Sequence, residues 1–175
     1  LSDAELVEAY PREEGEPVRP DPAGGLYLLA GLFHTLYRTE EVAQDLGTEV
    51  EQVSHMLVGG TSRLQPPFPS DPAALSGLRA VVMADVDAQA LGPAGRHALR
   101  QFVEAGGTLL VLGGWVSYGQ AKMDNTFIEE LLPVTSPGAF DREELSPPPV
   151  LVPDHGWRAS RRLPWHEKPV CLFIH

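Results

Sequence analysis

LRAVVMADVDAQALGPAGRHALRQFVEAGGTLLVL, residues 78–112, decides the fold. Leu78 to Ala84 is a short, nearly continuous apolar run that ends at Asp85. Runs of that kind belong to strands buried on both faces of a parallel sheet. Pro93 suits the first turn of a helix, and Leu99, Phe102 and Val103 supply its buried stripe. Gly106-Gly107 ends that helix with the positive φ that glycine adopts without strain. Thr108 to Leu112 follows as a second buried strand. Strand, helix and strand at this spacing predict a βαβ unit with a right-handed crossover, and hence an α/β domain.

On the N-terminal side, Leu64 to Pro72 (LQPPFPSDP) reads as a fixed loop, because its prolines offer no donors to a ladder. Val50, Val53, Met56, Leu57 and Val58, closed by Gly59-Gly60, predict the first strand. Leu26, Leu29, Phe33, Leu36 and Tyr37 recur at helical spacing and predict a helix over 26–37, with His34 a partly buried helix residue rather than a ligand. Residues 11–25 (PREEGEPVRPDPAGG) lack periodicity and read as a linker, preceded by a turn or two of helix over 2–10 with Ser2 as its cap. On the C-terminal side, Gly113-Gly114 opens a polar and aromatic loop to Asn125. Thr126 and Glu129 form a capping box for a short helix through Leu132, halted by Pro133. Residues 136–149 are Pro-rich and irregular, and Pro169 to Ile174 predicts a late strand. The expected organisation is a loose arm over 1–25 and one domain over 26–175.

Composition narrows the function classes. The 175 residues carry 43% hydrophobic and 21% charged side chains, which is globular. A chain of this length buries roughly 70% of its unfolded surface and needs no metal or disulfide to hold a core. Acids outnumber bases 24 to 13, a formal charge of −11, so no nucleic-acid partner is expected. The basic cluster Arg158, Arg161 and Arg162 reads as a solvated loop. Cys171 stands alone and forms no intramolecular disulfide. The longest apolar stretch, Leu26 to Phe33, falls short of the about 20 residues that span a bilayer. No membrane insertion is expected, and with no apolar signal region a cytoplasmic location is expected. Both ends of the chain read as cut.

In open α/β sheets, ligands sit beyond the carboxyl ends of the strands. That rule selects Asp85 and Asp87 after one strand and Gly113 to Gly119 after the next. Paired carboxylates serve as acid and base or hold a hard cation. The plainer expectation is that Asp85 caps nearby backbone amides while Asp87 is solvated. The histidines show no metal-ligand spacing, since His155 and His166 lie eleven apart with no Cys or acid cluster to complete a set. No metal and no cofactor are expected.

Ala105 to Gln120 (AGGTLLVLGGWVSYGQ), with AVVMADVDAQAL before it and NTFIEELLPV after it, resembles a family of class I glutamine amidotransferase-like domains. The matching residues are Asp85, Gly106-Gly107, Gly113-Gly114, Ser117, Gly119, Thr126 and Glu129 to Val134, with His155, Leu163, Trp165 and 169–175 beyond them. The likeness runs from about Phe68 to the last residue. The family pattern departs at Gly156, where a proline usually follows the His, and at Met123-Asp124-Asn125. Its usual last strands are missing beyond His175. The resemblance implies a three-layer, flavodoxin-like α/β fold with a mostly parallel sheet, often set beside other modules in larger bacterial proteins.

In working members of the class, a nucleophilic Cys sits on the tight elbow after the strand that matches Thr108 to Leu112. The alignment puts Gly113 there, and glycine carries no nucleophile. Cys171 falls inside the late strand, where an inert thiol is expected. The expectation is therefore a non-catalytic module whose crevice, lined by Asp85, Gly113, Gly114 and Ser117, binds a small-molecule ligand or a partner segment, or packs against neighbouring domains of a longer chain. The alternative is a hydrolase or amidotransferase with Ser117 as an unorthodox nucleophile, which needs a base beside it.

Overall fold

The computed structural model describes residues 20–31 and 34–139, together with the short strands 143–144 and 173–174. The chain divides into two compact units, Leu1–Phe140 and Asp141–His175. In the first unit five strands form one sheet: β1 (Gly25–Ala30), β2 (Val50–Val58), β3 (Thr61–Gln65), β4 (Leu78–Ala84) and β5 (Thr108–Leu112). Their order across the sheet is β3-β2-β1-β4-β5. Every neighbouring pair is parallel except β2 and β3, which form an antiparallel hairpin. Among the described residues three α-helices accompany them: α1 (Thr39–Asp45), α2 (Gly92–Glu104) and α3 (Phe127–Leu131). In the second unit, β6 (Glu143–Glu144) pairs antiparallel with β7 (Phe173–Ile174). The latter falls within the late strand expected over 169–174; the other residues of that expectation lie outside the described ones.

The βαβ unit read from residues 78–112 is present as β4, α2 and β5. Alternation along the strands sends side chains to opposite faces, and both faces are covered. Tyr27, Leu29, Val81 and Met83 pack with Leu99 and Phe102 of α2, with Ile128 of α3, with Phe68 from the proline-rich loop, and with Leu75 from the 3-10 turn at that loop's end. On the other face Ala43 of α1 packs on Leu26 and Ala80, and Tyr37 and Leu112 pack on Leu28, Ala30, Val82 and Ala84. A sheet sandwiched this way needs strands that are apolar at nearly every position, which is what β1 and β4 supply.

That same property overturns the helix expected over 26–37. Leu26 to Ala30 form β1, at the centre of the sheet between β2 and β4. A run that is apolar throughout contains a helical spacing whether or not it is helical; the double burial decides for strand. His34–Tyr37 is a single 3-10 turn that leads into α1. The strand at 50–58 is consequently the second, not the first. It turns at Gly59 and Gly60, both at positive φ, into β3, an edge strand whose residues alternate exposed and buried. Such alternation over five polar-rich residues is a weak signal, and β3 had no counterpart in the sequence reading. The capped helix before Pro133 is α3, with Thr126 Oγ1 accepting from the Ile128 N–H at 3.2 Å. Glu129 reaches back to the Asn125 N–H at 2.7 Å, one residue earlier than a standard capping box.

Candidate functional site

The parallel register sets Ala84 of β4 beside Leu112 of β5, so Asp85 and Gly113 leave the sheet side by side at its carboxyl edge. Asp85 has φ of 55°, a left-handed conformation uncommon for a residue with a side chain. It is 2% exposed. Its Oδ1 accepts from the Val116 N–H at 2.7 Å. Its Oδ2 accepts from the Tyr37 hydroxyl at 3.3 Å, and that one proton is shared with the Gly113 carbonyl at 3.0 Å. The carboxylate thus joins the turn after β1 to the loop after β5. Burial first, then the charge of Asp85 and the hydrogen bond to it, push the Tyr37 hydroxyl's pKa up to about 12.

Ser117 belongs to the same knot. Its buried Oγ accepts from the Gly114 N–H at 2.9 Å and donates to the Leu112 carbonyl at 3.0 Å. A carbonyl oxygen takes no proton at neutral pH, so this hydroxyl is not set against a base. Gly114 is glycine for a steric reason: a Cβ there collides with the Tyr37 hydroxyl and lies 2.5 Å from Asp85 Oδ1. Gly113 is under no such constraint, since the nearest atom to a Cβ at that position is Tyr118 Cε2 at 3.7 Å. The turn after β5 also differs from a nucleophile elbow, which passes from strand straight into helix. Here bends and turns run from Gly114 to Thr126 before α3 begins.

All four crevice residues expected from sequence, Asp85, Gly113, Gly114 and Ser117, therefore meet at one place. Asp87 is corrected: it is not solvated but 6% exposed. Its Oδ1 caps the turn Ala88–Leu91 by accepting from the Gln89 N–H at 2.8 Å. Its Oδ2 accepts from Ser62 Oγ of β3 at 2.8 Å and from Lys122 Nζ at 2.7 Å. Asp85 and Asp87 take entirely different partners and do not form the acid–base pair that their spacing suggested. Burial rather than solvation follows from Ser62 and Lys122, two donors that lie 25 and 35 residues away in sequence.

Tyr37, Ser62 and Lys122 were missed by sequence reasoning. Tyr37 had a usable signal: once 25–30 is taken as a strand, the residues after it fall at the carboxyl edge beside Asp85. His34 sits in the turn before Tyr37, its Nδ1 2.6 Å from the Gly31 carbonyl. Cys171, His155, His166 and the Arg158–Arg162 cluster lie outside the described residues. Among the described residues, no three His, Cys, Asp or Glu side chains gather as a metal site, and no helix is long and apolar enough to cross a membrane. No protein-family model, curated protein or solved structure matches the chain.

Proposed function

We propose that the chain is a class I glutamine amidotransferase-like domain with a flavodoxin-like sheet that does not catalyse, and that it serves as a ligand- or partner-binding scaffold in a larger protein. The observation that carries this reading is the state of the Ser117 hydroxyl. It is spent between the Gly114 N–H and the Leu112 carbonyl, beside a Gly113 that has no side chain to offer. The polar groups that line the expected crevice hold the loop after β5 in place, and Gly113 carries no nucleophile in their midst. The sheet supports the same family: its four parallel strands stand in the order β2-β1-β4-β5, which agrees with the first four places of the flavodoxin-like order 2-1-3-4-5. The order in which successive strands are laid down reverses between β1 and β4, where such folds receive ligands. The half-exposed Trp115 in the adjoining loop offers a contact surface for a ligand or a segment of a neighbouring domain.

The test is ammonia release from glutamine by the full chain, with Ser117→Ala and Cys171→Ser measured alongside. No turnover above background is expected from any of the three. Turnover abolished by Ser117→Ala establishes the hydrolase reading instead. Turnover abolished by Cys171→Ser overturns the alignment that places Gly113 at the nucleophile's position.

A further inference from the structure

The β2–β3 hairpin outruns the sheet. β1 pairs with β2 only as far as Ser54, so His55 to Val58 have β3 as their strand partner. Met56, Leu57 and Val58 are exposed along this overhang. Close to its turn, Ser62 of β3, which pairs with Leu57, donates to Asp87 Oδ2, the same oxygen that Lys122 holds. Lys122 also reaches Gln89 Oε1 at 3.3 Å. One carboxylate oxygen therefore ties the hairpin to the loops that follow β4 and β5.

His55 stands beside this tie. It pairs across the ladder with Leu64 and alternates with Val53, both core residues. Its Nε2 is buried and has no hydrogen-bond partner among the described residues. An imidazolium carries a proton on both nitrogens, so protonation sets a donor at that buried atom with nothing to receive it. The charges that act on the ring are Asp87, from the loop after β4, and Lys122, from the loop after β5. Arg63 of β3 pairs with Met56 and so belongs to the ribbon's opposite face.

We propose that His55, Ser62, Asp87 and Lys122 form a proton-sensitive clamp that holds the hairpin down while His55 is neutral and lets it open when His55 takes up a proton. Burial lowers the His55 pKa below the ordinary imidazole value, opposed by Asp87 and assisted by Lys122. The sign follows. The closed hairpin binds that proton less readily than the open one, so opening is linked to proton uptake. As pH falls below the ordinary value of about 6.5, the opening constant rises by up to about tenfold per pH unit, until the closed form also protonates. Local opening of this sort leaves the rest of a domain folded.

The experiment is amide hydrogen exchange on the full chain from about pH 7.5 to about pH 5, corrected for intrinsic exchange and compared between residues 55–64 and the β4 core. Opening of 55–64 is expected to increase several-fold toward acid while β4 stays protected, and His55→Gln is expected to flatten that dependence. An opening constant that does not change with pH, or one that changes equally in His55→Gln, overturns the clamp. Should His55→Gln fail to fold, the ring's own NMR titration in the unaltered chain decides. A midpoint below about 6.5 supports the clamp, and one at or above it refutes the clamp.

Discussion

Two neighbouring glycines give the sharpest test of the knot at the carboxyl edge, because the same change should have opposite consequences one residue apart. In Gly114→Ala the new methyl meets the Tyr37 hydroxyl and Asp85 Oδ1. Two routes relieve the collision. Tyr37 can withdraw, giving up a hydrogen bond to a buried carboxylate worth about 1.5–3 kcal/mol. Alternatively, the loop can shift, at the about 1–3 kcal/mol typical of overpacking. Either way the expected loss is about 1–3 kcal/mol, or a fall in Tm of roughly 2–12 °C for a chain of this size. Gly113→Ala adds the same methyl at 3.7 Å from its nearest neighbour. There the change should be neutral or stabilising by about 0.4–1 kcal/mol, through the unfolded chain. Urea unfolding followed by circular dichroism measures both. Equal effects at the two positions, or a Gly114→Ala variant as stable as the parent, would refute the geometry of the knot.

Other consequences are open to measurement. Tyr37 ionises less readily in the folded chain than in the unfolded one, so the folded state holds its proton to higher pH. Its contribution to stability is complete below about 10 and is lost as pH rises toward about 12. Stability measured across that alkaline window should fall less steeply in Tyr37→Phe, and a slope unchanged by the substitution would contradict the assignment. At the start of α3, Thr126 accepts from the Ile128 N–H and donates to the Met123 carbonyl at 2.6 Å. Thr126→Ala should cost about 1–2 kcal/mol, and Thr126→Ser should recover most of it; equal losses in the two variants would argue against capping.

Residues 78–112 were legible because each of their signals was local. An apolar run, a proline at a helix start, a buried stripe and a glycine stop all pointed the same way. β1 was misread for the opposite reason: burial on both faces removes the alternation that marks a strand, and what remains fits a helix equally well. β3 escaped because Thr61 to Gln65 carries only a faint alternation at the sheet's edge. Asp85 could be found from its place at a strand end, but not the partners that define its role. Tyr37 is 48 residues away in the chain, and nothing near either residue announces the pairing. Gly114 shows the same limit. The Gly-Gly pair was visible, yet only the approach of Tyr37 and Asp85 separates the glycine that must be one from its neighbour, which need not be.

Asp85 and its neighbours serve to tie the turn after β1 to the loop after β5. A double-mutant cycle between Tyr37→Phe and Asp85→Ala tests it most directly, read as unfolding free energies in urea. Because the Tyr37 hydroxyl donates to the buried Asp85 carboxylate, the two losses should overlap by about 1 kcal/mol or more. Losses that add to within about 0.3 kcal/mol would show that the two groups do not act on one another, and would contradict the account.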